Sequence, residues 1–143
     1  MKNKTKAIIG IGVLLILLQI TPAMANYNED TTTLEIINIS GGLGGVTVEI
    51  KNTGEHVASK IAVITTVQGG FLNKIDITHA CTGCSDCGAT LDAGAIKTEK
   101  TMEAGFMMGF GPIQINTLAY ASNADEVSEE STGFVIGPLV IIN

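Results

Sequence analysis

The residue types able to do chemistry are concentrated in one stretch of nine, His79-Ala-Cys81-Thr-Gly-Cys84-Ser-Asp-Cys87. Three thiols and an imidazole form a Cys3His donor set of the kind zinc accepts. All four ligands, His79, Cys81, Cys84 and Cys87, would have to converge from nine consecutive positions, with Gly83 and Gly88 supplying the obvious backbone freedom. The C-x2-C-x2-C opening is also that of a bacterial ferredoxin. The position that would carry its next thiolate is Leu91, and no proline follows, so the segment lacks the cluster's fourth ligand. In an oxidising compartment the same thiols pair. A disulfide among Cys81, Cys84 and Cys87 is therefore the expected reading, with zinc as its alternative. A bridge inside so short a segment stiffens the local loop more than it stabilises a fold. The odd count leaves one cysteine for an intermolecular bridge. Which two pair stays open.

The other polar clusters offer less. Asp125, Glu126, Glu129 and Glu130 supply oxygens that calcium would take, but without the spacing and glycine of a calcium loop they read as a solvated acidic turn. Gly41-Gly-Leu-Gly-Gly45 precedes a strand pattern, whereas phosphate-binding loops precede helices, so it reads as a hairpin bend. His56 follows the Asn-Thr-Gly turn and is expected on the surface. Asn38-Ile-Ser40 is a glycosylation sequon. With two histidines, both on expected loops, no nucleophile–base pair can be assembled. The expectation is that the chain is not an enzyme: no catalytic residue, no bound organic cofactor, zinc at most.

The elements that hold these groups follow from patterning. Residues 1–6 are basic and residues 7–20 almost wholly apolar. Ala23 and Ala25 then flank Met24 as signal peptidase requires, just after the helix-stopping Pro22. The fourteen apolar residues fall short of the ~20 that span a bilayer. The expected domains are therefore a signal peptide at 1–25, a short linker at 26–33 and one folded domain at 34–143, secreted or at the cell surface. Membrane contact is expected only through the signal segment before cleavage. A second reading takes Lys6-Ala7 and Ile8-Ile9-Gly10-Ile11-Gly12 as the leader of an archaellin- or pilin-like filament subunit, cut before the apolar run. Pro22 argues against its long assembly helix.

Beyond residue 25 the pattern is β. Val46, Val48 and Ile50 alternate with Thr47, Glu49 and Lys51, as in a half-buried strand. Residues 60–68 are apolar and β-branched on both faces, like a central strand. Further strands are expected at 34–40, 71–78, 95–102, 113–121 and 134–142, giving about seven, and the final one carries Pro138 and so belongs at a sheet edge. Val48, Ile50, Ile61, Val63, Ile113 and Ile115 form the expected core. Phe106-Met-Met-Gly-Phe110 is expected to plug the end of that core. Seven short strands separated by Gly, Asn and Asp clusters fit an antiparallel β-sandwich of immunoglobulin-like length. The 143 residues include 17 Gly and no Trp, and eight lysines against 14 acidic residues give a net charge of −6. Without the lysines at 2, 4 and 6 the balance is more acidic still, which disfavours binding to a phosphate backbone.

Gly41-Gly-Leu-Gly-Gly-Val-Thr-Val-Glu-Ile-Lys-Asn-Thr-Gly54 resembles the second strand and turn of immunoglobulin-like domains of prokaryotic surface proteins, the cell-adhesion-related (CARDB) type above all. Residues 58–67 are similar to the family's small-residue turn and third strand, and residues 123–130 to its acidic loop before the last strand. The likeness spans residues 34–142, and the cysteine segment stands outside it. The resemblance implies an extracellular binding or spacer module with no catalytic residues. The apolar final strand and the odd cysteine add the expectation of a protein or envelope-polymer partner or of self-association.

Overall fold

The computed structural model describes residues 30–81 and 90–143. The signal segment, most of the linker, Cys84 and Cys87 lie outside them. Among the described residues the fold is antiparallel β in two sheets, eight strands in all: β1 (Leu34–Gly41), β2 (Val46–Asn52), β3 (Ala62–Gly69), β4 (Ile75–Cys81), β5 (Ile96–Lys100), β6 (Gly109–Ala121), β7 (Ala124–Gly137) and β8 (Leu139–Ile142). One sheet has the order β1-β2-β5 and the other β4-β3-β6-β7-β8. No helix among the described residues is long and apolar enough to cross a membrane.

A single apolar cluster lies between the sheets, and the alternation in the sequence shows why. Val46, Val48 and Ile50 of β2 are completely buried, and across from them sit Val63 and Val67 of β3, Ile113 and Ile115 of β6 and Val135 of β7. All six residues expected in the core are there. The same inward periodicity places Thr65 beside Thr117, hydroxyls 3.4 Å apart, so the two polar side chains meet each other within the apolar layer.

Several strand assignments differ from the sequence reading. The strand expected at 95–102, for one, ends at Lys100, and Thr101–Glu103 form a 3-10 turn. Residues 123–130 are not an acidic turn: from Ala124 onward they belong to β7, which forms a long hairpin with β6 through pairs such as Asn116 with Glu130. The last strand is two, because Gly137 takes a positive φ of 61° and Pro138 turns the chain back, so β8 pairs with the end of β7. Residues 71–73 form a 3-10 turn with Leu72 and Asn73 at φ 59° and 51°, and the strand begins only at Ile75. β6 starts at Gly109, ahead of the expected position.

One buried polar residue organises an end of the molecule. Asn52 closes β2 with no exposed surface. Its Oδ1 accepts from Thr32 Oγ1 at 2.7 Å and from the Gly54 amide at 3.1 Å, and its Nδ2 donates to the carbonyls of His56 and Leu91 at 2.8 Å each. The amide thereby ties the chain ahead of β1, the loop after β2 and the segment leading into β5.

Candidate functional site

Strand directions define two ends. β1 and β3 run toward the end that carries residues 42–45, 70–74, 101–108 and 137–138. β4 runs the opposite way, toward the end shared by Asp30, Asn52, Cys81, Leu91 and the β6–β7 turn. Cys81, the last residue of β4, therefore lies at the same end as the Asn52 cluster.

His79 and Cys81 are alternate residues of β4, the edge of the five-stranded sheet, while Glu99 and Lys97 are alternate residues of β5, the edge of the three-stranded one. Alternation sends each pair to one face, and the two edges meet through their side chains. His79 Nε2 lies 3.2 Å from Glu99 Oε2, and Lys97 Nζ lies 2.9 Å from Glu99 Oε1. The histidine and glutamate side chains are only 11% and 9% exposed, so this pair is largely withdrawn from water. Glu103, exposed in the turn after β5, brings its carboxylate within 4.8 Å of both partners. Inward-pointing charges on an edge strand also discourage pairing with a second chain. Cys81 is buried and is not a free thiol. Of the four expected zinc ligands, His79 and Cys81 thus lie two residues apart on one strand, while Cys84 and Cys87 lie outside the described residues. Glu99 and Glu103 were not anticipated as ligands. The signal was present in the Lys-x-Glu alternation of the fifth strand, which places Lys97 and Glu99 on one face.

The opposite end is apolar. Leu72, Leu43, Phe71 and Met108 are 72%, 69%, 68% and 67% exposed, and Phe106, Phe110, Met102, Ile136 and Leu139 are each about half exposed. Several of these residues adjoin one another. Leu43 bridges to Leu139, the Phe106 ring covers Gly44, and Phe110 pairs with Ile136 while its ring meets that of Phe134 edge to face at 5.2 Å. Backbone bonds brace the loops beneath: Gly44 N to Pro138 O at 2.6 Å, Met107 N to Gly44 O at 2.8 Å and Val140 N to Gly42 O at 2.9 Å. The expected core plug at 106–110 is therefore only Met107, which is 1% exposed; the phenylalanines and Met108 face outward. The three-residue separation of Phe106 from Gly109 gave no alternation that would have told the faces apart.

The remaining candidates stay apart from these groups. His56 is exposed, with Nδ1 3.9 Å from Asp30 Oδ2. Asp125, Glu126, Glu129 and Glu130 are exposed along β7. Asn38 is exposed and donates to Glu49 Oε2 at 3.0 Å. A cleft of about 550 Å³ beside Gln68, Asp76 and Gln114 contains one carboxylate, Asp76, which accepts from Gln68 Nε2 at 3.2 Å, and no imidazole, thiol or amine except what flanks it. Among the described residues neither histidine is hydrogen-bonded to a hydroxyl nucleophile. No family model matches the chain, and no curated protein matches it.

Proposed function

We propose that this chain is a non-catalytic secreted or cell-surface module, immunoglobulin-like in its layering, that serves adhesion, spacing or assembly through its apolar end. The observation that carries the reading is the concentration of exposed Leu, Phe and Met side chains on adjoining loops at one end of the sandwich. Single exposed apolar residues are ordinary; a contiguous set rimmed by polar surface marks a place where water is displaced by a partner. Phe and Met are also the side chains enriched in the centres of such contacts. The loops are braced by backbone hydrogen bonds, so they are presented in a fixed arrangement, and little ordering cost is left for binding.

Three further features support the same reading. The leader directs the chain outward. The likeness to cell-adhesion-related domains points to binding or spacing. A local disulfide within Cys81, Cys84 and Cys87 suits an oxidising exterior. Assembly with a second copy is the form of the proposal that is tested first. Light scattering and sedimentation velocity on the purified chain are expected to show a mass that rises with concentration. The exposed-residue variant Phe71→Ser/Leu72→Ser/Met108→Ser is expected to remain monomeric at the same concentrations. A wild type that is monomeric throughout, or a variant that associates equally well, removes this end as the assembly surface.

A further inference from the structure

We infer that His79, Glu99 and Glu103 form a binding site for a first-row divalent cation of the zinc type, which cross-links the edge strands of the two sheets. One edge of a coordination polyhedron is already in place. Ligand atoms ~2.0–2.2 Å from zinc in a tetrahedral arrangement are about 3.3 Å from one another. His79 Nε2 and Glu99 Oε2 are 3.2 Å apart, so an ion can take the place of the bridging hydrogen with almost no movement of either side chain. The neutral imidazole then keeps its proton on Nδ1 and offers the Nε2 lone pair. Glu103, exposed and within 4.8 Å, closes the remaining distance by side-chain rotation and leaves the outer position to water.

Lys97 supports this arrangement. Its Nζ sits 2.9 Å from Glu99 Oε1, which fixes the carboxylate and leaves Oε2 to bind alone. Outer partners of this kind orient ligands at metal sites. With the imidazole neutral, the two carboxylates and the one ammonium sum to a single negative charge, which a divalent cation reverses rather than accumulates. One imidazole with two carboxylates suits zinc and its neighbours, whereas calcium and magnesium prefer oxygen alone. β4 and β5 belong to different sheets and share no ladder, so an ion here would join what backbone hydrogen bonds do not. The site uses no thiol. Glu103 comes from the loop that also carries Met102 and Phe106, but the test below reads zinc and not self-association, so the site stands or falls independently of the assembly proposed above.

Titration calorimetry of the full chain with zinc, and absorption of its cobalt(II) form, test the assignment. One saturable site per chain is expected, together with a zinc-dependent rise in melting temperature, since a ligand that binds only the folded state stabilises it. Glu103→Gln, which changes an exposed residue and leaves the fold intact, is expected to weaken zinc about tenfold or more and to abolish the melting shift. Glu99→Gln is expected to weaken it further, and Cys84→Ser/Cys87→Ser to leave it unchanged. The cobalt form is expected to lack a sulfur-to-metal charge-transfer band. Absence of saturable binding overturns the proposal. So does binding indifferent to Glu103→Gln, or binding lost in the cysteine variant with a strong thiolate band.

Discussion

Asn52 shows how much one side chain can hold. Both lone-pair directions and both N–H groups of its amide are used, on partners 20 residues before it and 39 after it as well as in its own turn. Truncation to alanine removes four hydrogen bonds. The Leu91 carbonyl keeps the Ala58 amide and the Gly54 amide keeps the Thr33 carbonyl, while Thr32 Oγ1 and the His56 carbonyl lose the Asn52 amide, at about 1–3 kcal/mol for each group left unsatisfied. Asn52→Ala is therefore expected to cost about 3–5 kcal/mol in urea denaturation. Asn52→Asp is expected to be nearly as damaging, because it sets a carboxylate oxygen against the carbonyls of His56 and Leu91. A loss below about 1 kcal/mol for either would mean the cluster rearranges freely. Ile50 gives the apolar counterpart: it has no exposed surface in the middle of β2, and Ile50→Ala is expected to cost about 2–5 kcal/mol. The two residues differ in how far the sequence reveals them. Ile50 is legible from the Val46, Val48, Ile50 alternation alone. Asn52 reads as turn chemistry, and its burial depends on Thr32 and Leu91, whose proximity no local pattern encodes.

At the scale of elements, the strands that alternate cleanly were legible and the ones shaped by their neighbours were not. The first half of β7 carries Asp125, Glu126, Glu129 and Glu130 exposed to water, so it lacks a buried stripe, and its extended state is imposed by the ladder with β6. The terminal apolar stretch was legible as extended and as lying at an edge, but not as two strands. The fold-back rests on Gly137 and Pro138, where a positive φ is followed by a residue with no N–H to donate. That edge is also less open than its composition suggests. Val140 N donates to Gly42 O, so the end of β1 covers part of β8. Gly41 makes this possible, because a Cβ there would collide with the Val140 carbonyl. Gly41→Val is accordingly expected to push β1 away from β8. Hydrogen exchange should show the Val140 amide losing about tenfold or more of its protection while Val135, in the core of β7, keeps its own. Equal loss at both would mean global destabilisation instead of a released edge. The candidate metal site divides along the same line: His79 stood out by type, Lys97 and Glu99 were visible as a strand-face pair, and only the meeting of two sheet edges brings them together.

The whole molecule is polar from end to end. Asp30, Glu55, Asp92, Asp125 and Glu126 gather where the chain enters the sandwich, and the exposed Leu, Phe and Met side chains gather at the far end, beside Lys74, Lys100 and Glu103. A chain processed after Ala25 would begin at Asn26, four residues ahead of Asp30, and intact-mass analysis of the exported protein is expected to find that terminus. A terminus at Ile8 would instead support the filament-subunit reading. The processed chain holds five lysines against 14 acidic residues, so copies repel one another at low ionic strength. Contact through the apolar end works against that repulsion, and the two forces respond oppositely to salt. Screening shortens the reach of the repulsion to about 8 Å at physiological ionic strength, while sulfate strengthens the burial of apolar surface. Self-association is therefore expected to tighten as sodium sulfate is added, and sedimentation velocity across a salt series measures it directly. An ionic interface built on Lys74, Lys100 and Glu103 would loosen over the same series. Dissociation on adding sulfate would thus place the contact on the charged rim and take the phenylalanines and Met108 out of it.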